Sequence, residues 1–218
     1  MPRSHDNTAS SDWRDSHISL SFALGKTRNG SNHTYTIHQL VERHFTQHKV
    51  RENKDSFGFS CELINDAPRV PSGKNLRNDN AKAWPLLAYD FDDGTQYEDA
   101  VQRLRDDGVA FIGYSSFNHM RVKGDAPPIP KFRIIIFIAA PCVLHDANAE
   151  ERVIRLAAYQ RAYHAVASHY GWRVDKTGTP PFQCRAASQR RREPSDSFFD
   201  YWYIKNKFFR TTLIDYWM

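Results

Sequence analysis

LLAYDFDDGTQ, residues 86–96, sets three aspartates directly behind an apolar run. Leu86, Leu87, Ala88 and Tyr89 have the composition of a buried strand, and Asp90, Asp92 and Asp93 follow before Gly94. Aspartate is a poor strand former and an uncompensated buried carboxylate is costly. The acids must therefore either cap a turn or face a counter-charge. Residues two apart on a strand share a face, which points Asp90 and Asp92 the same way. Two carboxylates that close raise each other's pKa unless a cation sits between them, and hard oxygen donors suit Mg²⁺ or Mn²⁺. Asp93-Gly94 is also ordinary turn chemistry, so the motif by itself supports a turn as well as a metal site. An EF-hand loop does not fit, because the glycine comes one residue too early and no glutamate stands at the required distance.

Outward from this strand the periodicities predict an α+β domain with helices packed on a sheet. QYEDAVQRLRDDG (96–108) reads as a helix with Ala100, Val101 and Leu104 inward and Gly108 at its end. VAFIGYSS (109–116) reads as a second strand, and the helical crossover between the two suggests a βαβ-type unit. KFRIIIFIAAP (131–141) is a third, β-branched strand closed by Pro141. NAEERVIRLAAYQRAYHAVASHYG (148–171) is the longest helix, with Val153, Leu156, Ala157, Tyr163 and Val166 as core candidates and Gly171 as its stop. Before the aspartate strand, HISLSFAL (17–24) alternates as a half-buried strand, and TIHQLVERHFTQ (36–47) is an amphipathic helix on Ile37, Leu40, Val41 and Phe45. Residues 65–80 hold Pro68, Pro71 and Gly73 and read as a long loop, and residues 1–16 as a flexible tail. The expected organisation is one domain over 17–218, with an N-terminal subdomain over about 17–80 and a core over about 81–218.

The bulk numbers narrow the class. A chain of 218 residues with 40% hydrophobic and 13% aromatic content can bury a sizeable core. A formal charge of +5 mildly favours a polyanionic partner. Cys61, Cys142 and Cys184 are odd in number and far apart, so neither a zinc ribbon nor a disulfide framework follows. No signal peptide is apparent, and the apolar run near 134–140 is too short to cross a bilayer. The expectation is a soluble cytoplasmic protein with no membrane partner.

Four further stretches carry chemistry. YSSFNHM (114–120) places Ser115, Ser116 and His119 beyond the second strand, where ligands gather in parallel sheets, although His119 also reads as a surface-loop histidine. Lys131 and Arg133 at the start of the third strand share a face and suit phosphate, or else guard an edge strand. Val174-Asp175 follows the long helix, and a third carboxylate there would complete a metal site. Arg185 and the run Arg190, Arg191 and Arg192 lie among aromatics, a combination that tracks single-stranded nucleic acid or simply forms a solvated loop.

LLAYDFDDG, FIGYSSFNH, PKFRIIIFIAAP and VDKTGTPPFQCRAASQ, in that order, resemble the catalytic domain of the archaeo-eukaryotic primase superfamily, in its phage and plasmid versions. The resemblance runs from about Lys74 to about Ser188, roughly half the chain. It implies an RRM-like α+β catalytic core joined to an N-terminal α/β subdomain. It implies Asp90, Asp92 and Asp175 as metal ligands and catalytic residues, with Mg²⁺ or Mn²⁺ as cofactor. His119 would contact the triphosphate of the incoming nucleotide, with Ser116, Lys131 and Arg133 as further nucleotide contacts, and Arg185 and Arg190 to Arg192 would bind template. The sequence departs from the pattern at Phe117, where a small residue is usual two before the histidine. No zinc module, helicase motif or helical primase domain is visible, so a helicase or initiator would come from another chain.

The expected function is thus a primase or primase-polymerase that uses nucleoside triphosphates on single-stranded DNA in phage or plasmid replication, by two-metal phosphoryl transfer. The alternative is a non-catalytic primase-like protein that binds single strands or an origin. A nucleotide-sugar transferase has only the DxD in its favour. A rolling-circle nuclease lacks its HxH pair with a following Tyr motif.

Overall fold

The computed structural model describes residues 16–24, 29–46, 49–50, 57–64, 80–122, 124–125, 127–174, 185–186, 189–190 and 199–202. The expected tail over 1–16 and loop over 65–80 fall almost wholly outside them.

A five-stranded sheet carries the core of the fold. The aspartate strand is β6, Ala81–Phe91. It is followed by α2 (Tyr97–Asp106), β7 (Phe111–Ser115), β8 (Phe132–Val143) and α3 (Ala149–His169). β5 (Glu62–Leu63) and β11 (Phe199–Trp202) form the edges, giving the order β11-β7-β8-β6-β5. β8 runs antiparallel to both β6 and β7, so those two are parallel without touching. The βαβ unit expected from sequence is therefore split by β8. Local periodicity predicted each strand, but the insertion is a non-local pairing that no local pattern encodes.

Helices α2 and α3 cover one face. α2 buries Ala100, Val101 and Leu104, and Gly108 reverses the chain at φ 72°. α3 opens on a capping box between Asn148 and Glu151. Its buried face is Ala158, Tyr159, Ala162, Tyr163, Val166 and Ala167. Val153, expected in the core, is 67% exposed, and Leu156 and Ala157 are only partly buried. The first turns of α3 are instead fixed by arginines: Arg152 donates to the Leu144 carbonyl (2.9 Å) and Arg155 to that of Val143 (2.9 Å). On the covered sheet face Tyr89 stacks on Tyr163 and Phe91 on Phe132. Gly113 lets α2 approach, because a methyl there would collide with the ring and hydroxyl of Tyr97. Gly113→Ala is accordingly expected to cost about 1–3 kcal/mol by overpacking, read as a lower urea midpoint with an unchanged slope.

β8 does not stop at Pro141. Between the pairs Leu86↔Phe137 and Trp84↔Cys142 lie four residues of β8 but one of β6, Pro85. Pro141 thus sits in an exposed bulge where no ladder N–H is needed, and the strand resumes after it.

An N-terminal layer packs against the other sheet face. β1 (His17–Leu24) lies between β2 (Gly30–Thr36) and β4 (Phe57–Ser60), with β9 (Arg185–Ala186) beyond β4. Ile18, Leu20 and Phe22 of β1 are buried as the alternation predicted. α1 (Ile37–His44) is capped reciprocally by Thr36 and Gln39 and buries Ile37, Leu40 and Val41. A two-residue parallel pair joins β3 (Lys49–Val50) to β10 (Gln189–Arg190). The chain passes from β4 to β5 through Cys61 alone, whose thiol burial pushes up to about 12. Asn32 seals that crossing by bonding the Leu63 carbonyl (2.7 Å) and N–H (2.9 Å). No helix among the described residues is long and apolar enough to cross a membrane.

Candidate functional site

Strand alternation decides where the aspartates go. Tyr89 and Phe91 are buried against α3 and Trp172, so Asp90 between them faces the opposite side. That side belongs to the N-terminal layer, since Tyr114, which shares it, packs against Phe45 at 5.2 Å, and Phe45 against Phe59 at 6.0 Å.

The register then builds a row across three strands. Asp90 of β6 stands opposite Arg133 of β8, and Arg133 stands opposite Tyr114 of β7. The Arg133 guanidinium donates to Asp90 Oδ2 at 2.9 Å and also hydrogen-bonds the Tyr114 hydroxyl. Arg133 has a side chain only 7% exposed, against 39% for Asp90. Burial by itself would lower its pKa, but the Asp90 charge and the Tyr114 hydroxyl outweigh it, so the net shift is upward and the guanidinium stays charged. Tyr114 was not among the sequence candidates. Its only signal was its place two residues before Ser116, which is silent until the register is known.

Next to this row the ladder of β6 with β8 ends at Phe91 and Phe132; Asp92 directly follows β6 and Lys131 directly precedes β8. The ladder of β7 with β8 continues through the Ser116 N–H, which donates to the Lys131 carbonyl at 2.8 Å. His119 joins this pair, its Nδ1 lying 3.0 Å from both the N–H and the carbonyl oxygen of Lys131. Ser116, His119 and Lys131 are each part-exposed, and Asp92 is exposed. Phe117, the departure from the usual small residue, is 7% exposed and turns into the protein.

Asp93 is a turn residue. Its carboxylate accepts from the Thr95 hydroxyl (2.6 Å) and N–H (3.1 Å), and Gly94 follows at φ 90°. The Thr95 hydroxyl bond, with the backbone bond, holds its pKa below the usual carboxylate range.

The loop carrying His119 contains one backbone outlier, Met120, at φ 51°. Left-handed backbone costs a non-glycine residue about 1–2 kcal/mol. Here it lets the Met120 N–H reach the Ile129 carbonyl (3.1 Å) while His119 N–H reaches that of Ser116 (3.0 Å). Met120→Gly is expected to raise stability by about 0.5–1 kcal/mol, the strain relieved less the added freedom of the unfolded chain, as measured by chemical denaturation.

Asp90, Asp92, Ser116, His119, Lys131 and Arg133 are thus gathered at one end of the sheet. Arg133 is turned to Asp90 rather than to a ligand. Asp175, Arg191 and Arg192 lie outside the described residues. The backbone of Arg185 pairs opposite Phe59 at the edge of the N-terminal sheet, and that of Arg190 opposite Val50. Arg185 therefore lies at the edge of the N-terminal sheet, and Arg190 in the short pair with β3.

A hard divalent cation fits the donor set in part. Asp90 and Asp92 offer carboxylate oxygens at the end of β6, one Asp90 oxygen already accepting from Arg133. Among the described residues no group of three His, Cys, Asp or Glu side chains assembles for a metal, so a third protein ligand would have to come from elsewhere in the chain. Compared with known proteins, the chain matches no family model, no curated protein and no solved structure.

Proposed function

We propose that the chain is a template-directed nucleotidyltransferase, a primase or primase-polymerase that starts strands on single-stranded DNA in phage or plasmid replication. The observation that carries this reading is the cross-strand row Asp90–Arg133–Tyr114 beside the pair Ser116–Lys131 with His119, at the sheet end where Asp92 follows β6. The acids proposed for a metal and the donors proposed for a triphosphate lie at one sheet end. The split βαβ topology is compatible with an RRM-like core, and the N-terminal layer with an α/β subdomain.

In this reading Asp90 and Asp92, with Asp175, hold Mg²⁺ or Mn²⁺. Bound there, the cation would lower the pKa of the attacking 3′-hydroxyl and offset charge on the leaving pyrophosphate. The chain's own residues orient and bind. Arg133 fixes Asp90 in one rotamer by a charge-assisted bond. Lys131 and His119 donate to phosphate oxygens of the incoming nucleotide, where preorganised donors act most strongly. Arg185 and the arginines at 190–192 serve the template strand through phosphate contacts. A helicase or initiator on another chain would open the duplex.

A second reading has one observation in its favour. Asp90 already has a buried cationic partner in Arg133, which suits a structural ion pair in a non-catalytic single-strand or origin-binding protein. Primer synthesis separates the two. The wild type should extend nucleoside triphosphates on single-stranded DNA with Mg²⁺ or Mn²⁺, and Asp90→Ala plus Asp92→Ala should abolish it. Synthesis that survives the double substitution would rule out the enzyme reading, whereas metal-independent DNA binding without synthesis would favour the binding module.

A further inference from the structure

His119 Nδ1 lies equally close, at 3.0 Å, to a donor and to an acceptor of the same residue, the N–H and the carbonyl of Lys131. One nitrogen cannot serve both, because it carries either a lone pair or a proton. The accounts of the two Lys131 groups are unequal. The carbonyl already accepts the Ser116 N–H at 2.8 Å, while the part-buried N–H has the imidazole as its acceptor. A backbone N–H removed from water needs an acceptor, and leaving it without one costs more than leaving a carbonyl with a single bond.

We infer that the Lys131 N–H locks His119 as the neutral Nε2–H tautomer, so that the histidine meets a phosphate through Nε2–H as a fixed neutral donor and not as a mobile cation. The use of that donor rests on the triphosphate reading above; the lock itself does not. Three backbone bonds keep the ring in register with Lys131. They are Ser116 N–H to the Lys131 carbonyl, His119 N–H to the Ser116 carbonyl, and Met120 N–H to the Ile129 carbonyl. The left-handed Met120 is the bend that closes the third. Lys131 therefore plays two separable parts, its side chain supplying charge and its backbone acting as a positioning group for His119. The second ring nitrogen of a histidine is set by the bond the first one makes, and here that bond is to a rigid ladder.

Long-range proton–nitrogen correlation on protein labelled at histidine reads the tautomer directly, with His119→Gln to assign the signals. The expected spectrum at pH 7.5 has an unprotonated Nδ1 and a protonated Nε2 for His119. An Nδ1–H tautomer or an imidazolium at that pH overturns the lock, whatever the protein binds. Titration with a non-hydrolysable nucleoside triphosphate and Mg²⁺ tests the use. His119→Asn keeps an acceptor for Lys131 N–H but removes the distal donor, and should weaken binding about tenfold, in line with one hydrogen bond to a charged group. His119→Gln keeps a distal N–H and should lose no more than about threefold, a small part of that hydrogen bond's worth. Equal losses in the two variants overturn the assignment of Nε2 as the donor. Failure of the wild type to bind the triphosphate, with the Nε2–H spectrum intact, overturns the triphosphate reading and leaves the lock standing.

Discussion

Asp92→Asn is expected to leave the unfolding midpoint where it is and to lower nucleotidyl transfer at least about a hundredfold, the scale of losing one preorganised charge-stabilising group. Asp92 is exposed, follows the last residue of β6, and makes no hydrogen bond or ion pair with another described residue, so little folding energy depends on it. The change is isosteric and removes one negative charge from the end of β6. Were Asp92 only a turn residue, like its neighbour Asp93, the rate would not move. Partial recovery at raised Mn²⁺ would show that the loss is in metal affinity. The measurement is incorporation of labelled nucleotide on single-stranded DNA across a Mn²⁺ series.

The largest effect on stability is expected at Asp90, and it should be unequal between the partners of its ion pair. Breaking a buried pair from one side costs about 3–5 kcal/mol, because a charge is left without compensation. Asp90→Ala strands the Arg133 guanidinium, whose side chain is 7% exposed, so about 3 kcal/mol should be lost. Arg133→Met strands a carboxylate that is 39% exposed. Water reaches it and screens the charge, and methionine refills much of the volume, so about 1–2 kcal/mol is expected. Urea denaturation of both variants tests the ranking. Equal small losses would mean that the pair behaves as a surface salt bridge, and the reverse order would contradict the burial of Arg133. The same asymmetry makes Asp92→Asn the cleaner test of chemistry, since Asp90→Ala alters fold and site together.

Local signals in the sequence carried most of the elements. Apolar spacing placed Ile37, Leu40 and Val41 inside α1 and Ala100, Val101 and Leu104 inside α2, and Gly108 marked the end of α2. What depends on pairing at a distance was not legible. The insertion of β8 between β6 and β7 joins residues far apart in sequence, and with it comes the meeting of Asp90, Arg133 and Tyr114. Two-residue spacing singled out Lys131 and Arg133, but only the register assigns Arg133 to Asp90. Val153 was misjudged because the start of α3 is tied down by Arg152 and Arg155 rather than by apolar contact. The turn role of Asp93 was readable from chemistry: Asp-Gly is a turn pair, and Asp93 with Gly94 forms one.

The most direct measurement is an anomalous-difference map from crystals grown with Mn²⁺, single-stranded DNA and a non-hydrolysable nucleoside triphosphate. The expected result is manganese against the carboxylates of Asp90 and Asp92, with the triphosphate lying along Lys131 and His119. Manganese absent from those carboxylates, or a triphosphate bound away from that end of the sheet, would contradict the account.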